Sequence, residues 1–88
     1  MQLSFKKPST RTAPKTLADL PQDESAFVDR IDLPGDFARR LMELGFIPGS
    51  PVLAAHSAPG GDPRVFRVDG TEVALRRETA RHIFLRKN

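Results

Sequence analysis

Apolar positions are sparse before residue 17 and recur regularly after it. Residues 1–15 set Pro8 and Pro14 among Lys, Ser and Thr and carry little apolar surface to fold on. Residues 1–16 therefore read as a flexible basic tail, and residues 17–88 as the folded domain. Leu17 and Leu20 open the patterned region. Ala26–Asp32 reads as a first strand with Phe27, Val28 and Ile31 as its apolar set. The three-residue step from Val28 to Ile31 breaks strict alternation and predicts a bulge. Pro34-Gly35 marks a turn, after which Phe37, Leu41 and Leu44 recur at i, i+4 and i+7, the spacing of a helix stripe. Asp36 stands where a helix N-cap is expected, its carboxylate placed to accept from unpaired backbone N–H groups. Gly45 suits the left-handed position just past the helix. In that register Phe46 and Leu41 are the two residues of a Schellman hydrophobic contact.

Pro48-Gly49 suits the centre of a type II turn. Val52–Ser57 reads as a second strand and Ala58–Pro63 as a loop. Val65–Val68 and Thr71–Leu75 flank Asp69-Gly70, the dipeptide that favours a type I′ hairpin turn. Arg77–Ala80 reads as a short helical link and His82–Arg86 as a last strand. Five strands this short do not make a sandwich with two good faces. They curl into a small, partly open barrel, which also limits free edges. The predicted fold is mainly β: an SH3-like barrel of about five short strands with one inserted α-helix.

Composition narrows what such a barrel does. With 88 residues there is room for one domain, and a deep substrate cavity would consume core that a chain this short needs. There is no cysteine, so neither a disulfide framework nor a thiolate metal site exists. No stretch has the apolar run of a signal peptide or a membrane span. These features point to the cytoplasm. The net charge of +3 conceals an uneven distribution. Lys6, Lys7, Arg11 and Lys15 fall in the first 15 residues with no acid beside them, and residues 16–88 carry ten basic against eleven acidic side chains. The folded part is nearly neutral, which argues against nucleic-acid binding.

One segment is more specific than its physics requires. Arg39-Arg-Leu-Met-Glu-Leu-Gly-Phe-Ile-Pro-Gly49 closely resembles the central motif of the FeoA family, small proteins associated with bacterial ferrous iron transport. The loop Ala58–Pro63 resembles that family too, as do Val68-Asp-Gly70 with Val73–Arg77, and Ala80–Ile83. Order and spacing agree across residues 17–86. The resemblance implies an SH3-like barrel acting as a cytosolic accessory protein. It implies as partner FeoB, the membrane ferrous-iron permease with a cytosolic GTPase domain, and a role in regulation or assembly rather than catalysis. A related domain ends DtxR-type metal-responsive repressors; with no DNA-binding domain read ahead of this one, that use is not the expected one.

Several residues invite a functional reading. Arg39 and Arg40 stand in the first turns of the helix, at the positive end of its dipole, where cations cost roughly 0.3–1 kcal/mol each. With Met42 and Glu43 they form a candidate partner face, the alternative being a weak Arg39–Glu43 pair. The loop residues Pro59, Gly60, Gly61 and Asp62 are a second candidate contact, or a plain connector. Gly60-Gly61 is not a phosphate loop, since no GK[ST] follows. His56, Asp62, Glu72 and His82 are the one set of metal-ligand types, suited to ferrous iron or zinc, but without local ligand spacing. Any divalent site is expected to be weak, and no cofactor is required. Asp36, Leu41, Gly45, Pro48, Gly49, Asp69 and Gly70 are assigned structural roles. No nucleophile is paired by motif with either histidine, so the expectation is a protein that is not an enzyme.

Two other functions compete. One is a nucleic-acid-binding barrel using the tail lysines with Arg64, Arg67, Arg76, Arg77 and Arg81, for which the chain lacks Tyr and Trp stacking platforms. The other is an iron-binding chaperone or sensor. Any membrane association is expected to be peripheral.

Overall fold

The structure, a computed structural model, describes residues 13–86. Most of the basic tail expected at the N-terminus lies outside the described residues. The body runs through a 3-10 turn (Leu17–Asp19), β1 (Ser25–Ile31), α1 (Gly35–Leu44), β2 (Pro51–Ser57), a second 3-10 turn (Pro59–Gly61), β3 (Arg64–Val68), β4 (Thr71–Leu75), α2 (Arg77–Ala80) and β5 (Ile83–Leu85). The five strands form one antiparallel sheet in the order β4-β3-β2-β1-β5. The ordered body begins slightly before Leu17. Thr16 bridges to Phe84, and the Leu85 amide donates to the Lys15 carbonyl at 2.8 Å. The sheet curls around a core that includes Leu17, Leu20, Val28, Phe46, Val52, Phe66 and Ile83. It is the mainly β, SH3-like barrel with an inserted helix that the pattern predicts.

The turns form where glycine and its neighbours place them. Asp69 and Gly70 have φ of 52° and 76°, the paired positive values of a type I′ turn, and Val68 opposes Thr71 across it. Gly49 has φ of 93° and the Ser50 amide donates to the Ile47 carbonyl at 2.8 Å, which makes Ile47–Ser50 a type II turn. The bulge expected in β1 falls between Val28 and Arg30. A second one, not foreseen, interrupts β2 between Ala54 and His56.

The end of α1 is a full Schellman motif. Gly45 has φ of 119°, and its amide donates to Met42 while Phe46 N–H donates to the Leu41 carbonyl, both at 3.0 Å. Leu41 and Phe46 are both buried in the core. The start of the helix differs from expectation. Pro34, not Asp36, is the N-cap, and no side chain caps the helix. Pro34 is extended and its carbonyl already accepts from Ala38 N–H at 2.9 Å, so the helix begins at Gly35. That leaves Asp36 one residue inside, where its carboxylate acts on the positive end of the dipole without a capping bond.

The buried line of α1 is also displaced. Ala38 and Leu41 are its buried residues, whereas Phe37 is 60% exposed and Leu44 40%. The chain reverses at Gly45 and inserts the Phe46 ring into the core. The small Ala38 side chain lets the helix lie close against the barrel, with Phe37 and Leu44 on its flank. Phe27 is likewise about half exposed. Val28 takes the inward position of β1, which turns Phe27 to the outer face opposite Pro51.

Candidate functional site

Three surfaces carry side chains with chemical potential. The first is the outside of α1. Arg39, Arg40, Met42 and Glu43 are all exposed there. Neither arginine side chain has a hydrogen bond or ion pair among the described residues. The sequence reading missed that Phe37, Leu44 and Ile47 are exposed beside them. The signal was present: Phe37, Ala38, Leu41, Met42 and Leu44 crowd into ten residues, more apolar positions than one short buried line can hide.

The second surface is the loop after β2. Gly60 and Gly61 both take positive φ, and Pro59 to Gly61 form its 3-10 turn. The loop is closed at its base, where Ala58 N–H donates to the Pro63 carbonyl at 2.9 Å. It is also tied down at one side. The Asp62 carboxylate accepts the Arg77 backbone N–H at 2.9 Å, which serves an unpaired donor in the first turn of α2.

The third surface lies on the outer face of β2, β3 and β4. Glu72 accepts from Arg67 Nη2 at 2.8 Å, and its other oxygen stands 3.8 Å from His56 Nε2. The registers Leu53–Arg67–Glu72 and the β2 bulge bring these residues together. The hydrogen bond from Arg67 holds the Glu72 carboxyl below the ordinary carboxylate range against the opposing effect of burial, and the charges of Arg67 and the nearby His56 add to it. A lowered pKa means that this pairing is intact above the ordinary value, near 4.3, and is lost as pH falls through the lowered one. A titration of the Glu72 carboxyl followed by NMR should therefore have its midpoint below the ordinary glutamate value. Arg67→Ala should move it upward; an unmoved midpoint would show that the hydrogen bond is not the cause.

The proposed four-residue metal set is not assembled. His56 and Glu72 meet, but Asp62 is engaged with α2. No three His, Asp or Glu side chains among the described residues converge to hold an ion. The reason is topological: the sheet order places the bulge of β2 opposite β3 and β4, while His82 lies between α2 and β5 and its carbonyl accepts from Asp32 N–H.

The arginines invoked for nucleic acid are partly committed elsewhere. Arg64 donates to the carbonyls of Leu17 and Ala18 at 3.3 and 3.4 Å and lies 5.3 Å from the centre of the Phe66 ring. Burial, and then the charge of Arg77, push its pKa below the ordinary value. It ties the first 3-10 turn to β3. Arg67 is neutralised by Glu72.

Among the described residues no helix is long and apolar enough to cross a membrane. The fold is a mainly β, SH3-like barrel that exposes side chains on one short helix and on one pinned loop. The FeoA domain model matches residues 15–87, and the chain belongs to the FeoA family. The zinc-complexed FeoA of Stenotrophomonas maltophilia, a procaryotic SH3 domain protein, is 38% identical. It superposes with a TM-score of 0.73 over 83% of this chain and 91% of that one. The FeoA protein of Chlorobium tepidum is 30% identical, with a TM-score of 0.75, covering 80% of this chain and 67% of that one. A fusion of Fe(2+) transport protein A with the Fe(2+) transporter FeoB in Porphyromonas gingivalis is 34% identical over 67 residues, which are 76% of this chain and 8% of the fusion protein. The chain thus corresponds to a small part of that relative. The family links the chain to ferrous iron transport.

Proposed function

We propose that this chain is a non-catalytic, cytoplasmic accessory module of bacterial ferrous iron transport that binds the permease FeoB at the inner face of the membrane. The observation that carries this reading is the relative in which a FeoA segment and FeoB share one polypeptide. Fusion maintains two parts at high effective concentration, which favours partners that act on one another. The contact is made by the outside of α1 around Arg39, Arg40, Met42 and Glu43, with the loop residues Pro59, Gly60, Gly61 and Asp62 as a second surface. Binding alters transport only to the extent that it favours one state of the permease over another. No cofactor takes part. A divalent ion such as ferrous iron or zinc binds weakly at most, a reading compatible with the zinc complex of the Stenotrophomonas maltophilia relative.

Calorimetric titration of the full chain into detergent-solubilised FeoB from the same cell, with and without guanine nucleotide, tests the proposal. Saturable binding whose affinity depends on the nucleotide is expected. Absence of binding in every nucleotide state would remove the reading.

A further inference from the structure

Phe37 and Leu44 are seven residues apart, two turns of α1, and therefore lie on the same flank of the helix. Arg40 falls between them, while Met42 lies on the opposite flank next to Arg39. Ile47, 49% exposed, follows in the turn just past the helix. Several large apolar side chains left exposed on and beside one helix flank are a feature of interaction sites, and the chemistry around them selects the occupant. A second copy is a poor match. Two-fold pairing through this flank would place its midpoint, Arg40, against Arg40 of the other copy, and like charges facing across an interface are strongly disfavoured. A bilayer surface is disfavoured by the neighbouring strip of the helix, which carries Asp36 and Glu43 towards anionic headgroups. What fits is an apolar cleft with an acid at its centre. A guanidinium covered by a partner needs an acceptor, and a carboxylate supplies a bidentate one.

We infer that the α1 flank formed by Phe37, Arg40 and Leu44, continued by Ile47, docks into an apolar cleft of FeoB that presents a carboxylate to Arg40. This inference rests on the FeoB binding proposed above and shifts its contact to the Arg40 flank of α1, away from Met42 and Arg39. The rings and aliphatic chains supply the buried contact, and Arg40 fixes the register.

The test compares the full chain with Phe37→Ser/Leu44→Ser and Arg40→Glu, each titrated into solubilised FeoB. Arg81→Glu on the exposed end of α2 serves as control. All four positions are exposed, so the unfolding midpoint should stay near wild type. Each α1 variant is expected to weaken binding by about tenfold or more, and the control by less than about twofold. Wild-type affinity in both α1 variants would overturn the inference while leaving FeoB binding in place. No binding of the wild-type chain would overturn both. A wild-type dimer in sedimentation that Phe37→Ser/Leu44→Ser abolishes would assign the flank to a second copy instead. Binding to phosphatidylglycerol vesicles that the same variant abolishes would assign it to the bilayer.

Discussion

Phe46→Ala is expected to destabilise the barrel by about 3–5 kcal/mol, the range for removing a large buried aromatic. Phe46 is fully buried, belongs to the core cluster and packs where the chain returns from α1 to the sheet. Its N–H also closes the helix by donating to the Leu41 carbonyl. The cavity left behind would loosen both the core and the helix terminus. A domain of this size has a total stability of about 5–15 kcal/mol, so the loss is a large fraction of what holds the fold. The chain has no Trp or Tyr, so urea unfolding followed by far-UV circular dichroism is the suitable readout. The expected signature is a much lower midpoint at similar slope. Phe37→Ala is the informative comparison. The same chemical change at a residue 60% exposed should cost within about 0.5 kcal/mol. Equal losses at the two positions would mean that Phe37 is as much a part of the core as Phe46.

Gly45→Ala is the second large effect, expected at roughly 2–3 kcal/mol, from two sources that act together. Gly45 has φ of 119°, a conformation in which a side chain is strained. A Cβ there would also stand 3.1 Å from the Asp69 Cβ and 3.4 Å from Val68 Cγ1. Those neighbours cannot easily withdraw, because Asp69 is held at positive φ in the type I′ turn and Val68 is buried. Gly49→Ala separates the two sources. Gly49 has φ of 93°, but the nearest atom to its Cβ is Arg86 Nη2 at 3.7 Å, an ordinary contact with a flexible side chain. Gly49→Ala should therefore cost only the backbone strain, about 1–2 kcal/mol. If both substitutions cost the same, the approach of α1 to the β3–β4 hairpin contributes nothing.

These two residues show why the run from Arg39 to Gly49 is largely a folding device. Leu41, Gly45, Phe46, Pro48 and Gly49 reverse the chain twice within nine residues and deliver it from the helix to β2. The same reversal leaves Phe37, Leu44 and Ile47 uncovered. One short segment thus closes the core and presents the apolar flank.

What was legible in the sequence follows the range of the interactions involved. The Schellman end of α1, the type II turn at Pro48-Gly49 and the type I′ turn at Asp69-Gly70 depend on backbone preferences of a few adjacent residues. The bulge in β1 announced itself as a lapse in alternation. Strand positions came within a residue or two because apolar residues facing a core recur at the strand period. The N-cap at Asp36 failed for a local reason of its own: the extended Pro34 lets its carbonyl start the helix two residues sooner.

The surfaces were less legible. Periodicity identifies an apolar stripe but not the angle at which the helix is laid on the barrel. Ala38 and Leu41 became the buried pair because the small Ala38 side chain permits close approach and Phe46 occupies the core position available to an aromatic ring. The meeting of His56, Arg67 and Glu72 depends on two strand registers and on an unforeseen bulge in β2. The contact of Arg64 with Leu17 and Ala18 spans 46 or more residues. No local pattern encodes it.

The sequence by itself determined the turns, the strand count, the end of α1 and the family, since each is written in short-range backbone chemistry or in motifs whose order can be read directly. Tertiary structure alone decided which flank of α1 is bare, which carboxylates meet a base, and that His56, Asp62, Glu72 and His82 do not form one site. Those outcomes depend on how a curled sheet places distant residues in three dimensions, and burial is settled only when all the elements compete for the same small core.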